Sequence, residues 1–242
     1  MSGAQCCSNP PVLDPSCGAG HVQKLAGLDT YVTGSPDSKL AILLVSDVFG
    51  YDAPNLRYLA DKAAATGFFV VVPDFWHGDP YVPKNAERPL EGFDVWLKDH
   101  RTDKAALEAR SVIEILKSKG VSSVGAAGCC LGAKVVVELA KTNIIQAAVL
   151  LHPTYVTVED ISEVKGPITI LGAEIDEISP PELIKQFEAV LAGKSGVEFF
   201  VKVCPKVAHG WTIRYDVGDE EAVKNAEEAH QILLEWFCKH VK

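Results

Sequence analysis

The chain has 242 residues, 48% of them hydrophobic and 23% charged, enough apolar material for one large α/β domain and far from a disordered composition. A formal net charge of -9 and a pI near 5.3 argue against nucleic acid or an anionic membrane as partner. They leave room for an anionic substrate, because one local arginine outweighs a mean field.

The opening stretch, "MSGAQCCSNPPVLDPSCGAG", has neither a basic region nor an apolar core of a secretory signal, and Ser2 excludes myristoylation. No apolar run approaches the roughly 18 residues of a membrane-spanning helix. A cytoplasmic address is expected. Seven cysteines, at 6, 7, 17, 129, 130, 204 and 238, are an odd and scattered set, which fits reduced thiols. Cys6, Cys7 and Cys17 form no CxxC pair and have no histidine pair nearby, so no metal is expected, and nothing calls for a cofactor.

In chain order, residues 21–34 read as a hairpin turning near Gly27. "KLAILLVSDVFG" holds a continuous apolar run, the pattern of a strand buried on both faces. "PNLRYLADKAAATG" is a helix with Pro54 in its first turn and Gly67 at its stop. "FFVVVPDFW" is a second buried strand, and residues 75–100, rich in Pro, Trp and charge, are an excursion over the sheet edge. "TDKAALEARSVIEILKSKG" is an amphipathic helix ending at Gly120. Then come "SSVGAAG" (strand), "CLGAKVVVELAKT" (helix), "IIQAAVLLHP" (strand), "PITILGAEID" (strand), "PPELIKQFEAVLAGK" (helix) and "VEFFVKV" (strand). A long closing helix covers "EEAVKNAEEAHQILLEWFCKHV". Strands alternating with helices predict an α/β fold, a mostly parallel central sheet with helices on both faces, and one domain over residues 1–242.

Ligands of open α/β sheets bind at the carboxyl ends of strands. The polar residues there are Asp47, Asp74, Cys130, His152, Asp176 and His209. Gly128-Cys129-Cys130-Leu131-Gly132 fits G-x-C-x-G, the thiol form of the nucleophile elbow, whose glycines relieve crowding at a sharp turn. Its middle position, Cys130, would stand above the sheet at a helix N-terminus, where the macrodipole favours a thiolate. Gly and Cys at such a joint also serve as close packing, so the motif alone leaves both readings open. The order Cys130, Asp176, His209 is the nucleophile–acid–histidine order of hydrolases with this elbow, and no G-x-S-x-G competes.

With "VSDVFG", "VVPDFW", "GCCLGA", "LGAEIDEISP" and "AHGW" in the same order and at similar spacing, the chain resembles the dienelactone hydrolase family, an α/β-hydrolase branch, and the N-terminal "CCSNPP" with the "HGW" form resembles its eukaryotic, plant-like members in particular. The resemblance implies Cys130 as nucleophile, His209 as base, Asp176 as the orienting acid, and an oxyanion hole from the N–H groups of Val48 and Leu131. Bacterial members carry a glutamate that holds the resting thiol where this chain has Asp47, one methylene shorter. Asp47 then either reaches and tunes Cys130 or falls short of it. Bacterial members also grip a substrate carboxylate with arginines. "PDFWHGDP" supplies none, and Arg214 corresponds to the other.

Phe49, Trp76, Trp211 and Arg214 flank these motifs and are candidate pocket residues. Asp74 reads as a turn or cap residue, His77 and Asp79 as the rim of the pocket, and His152 as structural. The expected activity is cysteine-dependent hydrolysis of small esters or lactones through an acyl-enzyme, with a small-molecule substrate and a monomer or weak dimer. Two other readings remain: a redox-responsive small-molecule-binding protein using the Cys129–Cys130 pair, and a glycan hydrolase using Asp47 and Asp176.

Overall fold

The computed structural model describes residues 4–242. Eight strands form one sheet in the order β1-β2-β4-β3-β5-β6-β7-β8. The hairpin is β1 (His21–Leu25) and β2 (Leu28–Thr33), closed by Ala26 and Gly27, both at positive φ. Its two strands and β4 (Phe69–Pro73) pair antiparallel. From β4 onward, β3 (Leu40–Val45), β5 (Ser123–Cys129), β6 (Ala147–Leu151), β7 (Ile168–Ile175) and β8 (Phe199–Ala208) run parallel.

The continuous apolar runs are explained by burial on both faces. Along β3, Ala41, Leu43 and Val45 enter one apolar cluster, while Ile42 and Leu44 enter the other. Helices α1 (Pro54–Ala65) and α7 (Glu220–His240) supply Leu56, Leu59, Leu233 and Phe237 to the second cluster. Helices α3 (Thr102–Ser118), α4 (Leu131–Ala140) and α6 (Pro181–Ala192) cover the opposite face with Val112, Val135 and Ile184. This is the expected mostly parallel sheet with helices on both faces.

Three elements differ from expectation. The 75–100 excursion contains α2 (Phe93–Asp99), introduced by Gly92 at φ 86, and it packs inward through Trp96, whose ring centroid lies 5.4 Å from that of Trp76. A short α5 (Val158–Ser162) is nucleated by the capping box of Thr157 and Asp160, over too few residues to leave a helical period in the sequence. Strand β8 runs on to Ala208, past an irregularity in its pairing with β7, and so delivers His209 to the same end of the sheet as Cys130. Among the described residues, no helix is long and apolar enough to cross a membrane.

Candidate active site

Cys130 sits between the last residue of β5 and the first of α4, at φ 52 and ψ -114. An L-residue adopts that conformation only under constraint, and its neighbours show the constraint. A Cβ on Gly132 would stand 2.5 Å from the carbonyl oxygens of Val45 and Ser46, and one on Gly128 would collide with the backbone of Gly132. The two glycines let strand, turn and helix close tightly enough to lift residue 130. The adjacent thiols therefore face apart: Cys129 belongs to the apolar cluster shared with α1 and α7, Cys130 to the one on the other face.

The Cys130 thiol is completely buried. Its sulfur lies 3.3 Å from Thr154 Oγ1 and 3.4 Å from the sulfur of Cys6. Burial, then the contact with Cys6, pushes its pKa well above the ordinary thiol value, so the resting group is a neutral thiol.

His209 follows β8 and Asp176 follows β7. Nδ1 of His209 donates to Asp176 Oδ2 at 2.8 Å, with both side chains sealed from solvent. The other oxygen, Oδ1, accepts the N–H groups of Ile178 and Ser179 at 2.8 and 3.1 Å, which fixes the carboxylate's orientation. Nε2 of His209 is buried without a hydrogen-bond partner. The sulfurs of Cys6 and Cys130 and a ring nitrogen of His209 all lie within 4.8 Å of one another. Burial opposes the imidazolium, and the hydrogen bond to the Asp176 carboxylate favours it.

Asp47 is engaged elsewhere. Oδ1 accepts the N–H of Phe49 at 2.9 Å, and Oδ2 pairs with Arg214 Nε at 2.8 Å. Burial raises the pKa of Asp47, with Arg214 pulling the other way. Trp76 donates its indole N–H to the Asp47 carbonyl at 2.7 Å and so braces this loop from behind. The Arg214 guanidinium stacks 5.0 Å from the Phe49 ring. Its Nη1 donates to the carbonyls of Gln5, Cys6 and Ser8, so the arginine holds the N-terminal segment in place.

That segment begins with a 3-10 turn, Ala4–Cys7, and buries both Cys6 and Cys7. An open cavity of about 570 Å³ is bordered by Asn9, His209, Trp211 and Arg214. A second cavity, of about 250 Å³, lies between Cys7, Asn9 and the prolines at 83 and 89. Cys130 borders neither cavity, and Cys6 lies against its sulfur.

The remaining candidates have defined places. Val48 directly follows Asp47, and Leu131 opens α4, where its N–H has no intrahelical acceptor. Asp74 caps its own turn through Trp76 and Gly78, as the sequence suggested. His77 pairs with Glu108 at 3.2 Å and Asp79 with His100 at 3.4 Å. His152 is buried and bonded to Thr212 Oγ1 at 2.7 Å, with its ring 5.1 Å from His209 and 5.3 Å from Trp211. Burial holds it neutral. Sequence reasoning passed over Thr154 and weighed Cys6 only as a metal ligand. Thr154 is two residues past the strand-end histidine and was within reach of a closer reading of that end. Nothing in the sequence ties Cys6, 124 positions from Cys130, to the elbow.

Comparison with known proteins places the chain in a family. The sequence model described as the dienelactone hydrolase family matches residues 28–241. A maize protein named endo-1,3;1,4-beta-D-glucanase is 42% identical over 81% of this chain, which spans only 64% of that protein's length. A carboxymethylenebutenolidase homolog of Xenopus tropicalis is 33% identical over 83% of this chain and 82% of its own. Among solved structures, a dienelactone hydrolase from Anabaena variabilis superposes with a TM-score of 0.65 at 13% identity, covering 96% of this chain and all of that one. A dienelactone hydrolase-like promiscuous phosphotriesterase from metagenomic libraries gives 0.69 at 17% identity over 93% of this chain and all of its own. At such identities these likenesses speak for the fold. The elbow, the sheet that carries it and the match over residues 28–241 lead to one conclusion: the chain belongs to the dienelactone hydrolase family, a family of α/β enzymes that hydrolyse esters and lactones.

Proposed function

We propose that this protein hydrolyses small carboxylic esters or lactones through a thioester on Cys130. The observation that carries the reading is the line of groups from Asp176 through His209 toward the elbow thiol. Asp176, fixed by two backbone N–H groups, orients the His209 tautomer that leaves Nε2 free to take a proton. On substrate binding, His209 removes the Cys130 proton and the sulfur attacks the carbonyl carbon. The N–H groups of Leu131 and Val48 receive the oxyanion, and the alcohol leaves with the proton from His209. A water activated by His209 then cleaves the thioester. A thiolate attacks well and leaves well, which suits activated esters and lactones better than amides.

Because Cys130 is fully buried, substrate entry requires residues 5–9 to move off the elbow. This frees Arg214 Nη1, which then offers its hydrogen bonds to a substrate carboxylate in place of three backbone carbonyls. The site takes a small molecule and needs no cofactor for these steps. One domain spans the chain, and a cytoplasmic setting fits its unpaired cysteines.

The maize relative's name suggests glucan hydrolysis as a second reading. The two carboxylates it would need are already committed, Asp47 to Arg214 and Asp176 to His209, which favours the thiol mechanism. Rapid quenching of the enzyme with p-nitrophenyl acetate, followed by peptide mass mapping, tests the choice. An acetyl group on Cys130 is expected. Turnover with no acyl adduct on Cys130, or glucan cleavage that survives iodoacetamide, overturns it.

A further inference from the structure

The mechanism above has no use for Cys6, yet this residue is brought from the far end of the chain into contact with the nucleophile. Its sulfur is 3.4 Å from that of Cys130, both residues are fully buried, and a ring nitrogen of His209 completes the group within 4.8 Å. The segment that presents it is anchored by Arg214 through the Gln5, Cys6 and Ser8 carbonyls. A disulfide bond of about 2.05 Å needs the two sulfurs to approach by roughly 1.4 Å, within the reach of small side-chain adjustments. A tetrahedral zinc ion would instead hold two thiolates about 3.8 Å apart and would need a fourth donor, so the spacing favours the covalent pair. Cys129 is excluded as partner, because it faces the other side of the sheet.

We propose that Cys6 and Cys130 form a reversible disulfide on exposure to hydrogen peroxide, with Cys6 as the resolving thiol of a redox-sensitive active site. The step balances as a two-electron oxidation. While residues 5–9 are displaced, the Cys130 thiolate attacks one peroxide oxygen, the O–O bond breaks, and the departing hydroxide takes the proton held by His209 and leaves as water. Cys130 is then a sulfenic acid. When the segment closes, the Cys6 sulfur attacks the Cys130 sulfur, and hydroxide leaves with the Cys6 proton as a second water. Two thiols and one peroxide become one disulfide and two waters. The bond pins the segment over the elbow and stops oxidation short of the irreversible sulfinic acid.

The role of oxidation in activity rests on the hydrolase reading, but the disulfide itself does not, and the test separates them. The full-length protein is treated with hydrogen peroxide in the presence of a chelator, alkylated, digested without reduction and mapped by mass spectrometry. A Cys6–Cys130 peptide pair is expected, together with loss of esterase activity that dithiothreitol restores. In C6S the same treatment should convert Cys130 to the sulfinic acid, with no recovery relative to that variant's own untreated rate. A bridge to Cys7 or Cys129, or Cys130 sulfinic acid in the wild type with Cys6 still alkylatable, overturns the proposal. The wild-type map decides the matter even if C6S folds poorly. A Cys6–Cys130 bond that leaves hydrolysis untouched would uphold the redox pair and remove Cys130 from the hydrolytic mechanism.

Discussion

Arg214 and Asp47 meet at 2.8 Å with side chains only 2% and 1% exposed, so this is an internal ion pair that ties the loop after β3 to the turn before α7. Losing one partner of such a pair leaves a buried charge uncompensated. D47N is expected to cost about 3 kcal/mol, the lower end of what breaking a buried pair costs. That corresponds to a fall in Tm of roughly 6–12 °C for a chain of this size. Thermal unfolding measures it, and a Tm within a degree of wild type would mean that the three backbone carbonyls alone satisfy the arginine.

The two neighbouring cysteines should separate cleanly in function. C130A is expected to abolish turnover of p-nitrophenyl acetate, whereas C129A, altered within a core cluster, should lose mainly stability. Equal loss of activity in both variants, each shown to be folded by circular dichroism, would remove Cys130 from the elbow tip.

Deleting residues 1–9 removes the Cys6 contact that helps to raise the Cys130 pKa. The pH midpoint of iodoacetamide alkylation at Cys130 should therefore move to lower pH in the truncated protein. A midpoint, unlike a rate, is insensitive to how easily the reagent enters. If the segment is open about a tenth of the time, its removal should also raise kcat/KM about tenfold. Carboxylate-bearing esters should gain more than neutral ones, because Arg214 is released. A midpoint that does not move would assign the high pKa to the elbow itself.

His230 provides a pH test remote from the elbow. Its Nε2 donates to the Thr212 carbonyl at 2.7 Å, and Lys62 lies 3.4 Å from Nδ1, an arrangement that suits the neutral ring. Burial depresses its pKa from 6.5 to about 4. As the pH falls from 6.5 toward 4, the unfolded chain binds this proton and the folded one does not, so stability falls, by on the order of 3 kcal/mol from this residue. H230Q can keep a donor toward Thr212 and cannot titrate. Its stability, followed by urea unfolding, should decline less steeply over that window, and parallel slopes would contradict the assignment.

Sequence reasoning reached the fold because β3, β5 and β6 are buried on both faces and leave uninterrupted apolar runs, while α1, α3 and α7 repeat at helical spacing. It nominated Cys130, Asp176 and His209 because elbow glycines and strand ends are local features. What it missed are contacts made only by the folded chain. Asp47 was weighed as reaching or failing to reach Cys130; the structure pairs it with Arg214, a residue 167 positions later in the chain. Arg214 in turn holds backbone carbonyls, and no side-chain pattern announces those. Trp76 sits behind the Asp47 loop as its brace, a role that a flanking aromatic does not advertise.

The left-handed φ of 52 at residue 130 also bears on how this chemistry could change over evolutionary time. A branched Cβ is strongly disfavoured there, so threonine is a poor substitute, but serine has the same skeleton as cysteine with oxygen in place of sulfur. Exchange between thiol and hydroxyl needs one atom and no rearrangement of β5 or α4. The scaffold thus constrains the shape of the residue at the elbow more tightly than its element, and a lineage could pass between the two chemistries while the surrounding glycines stay fixed.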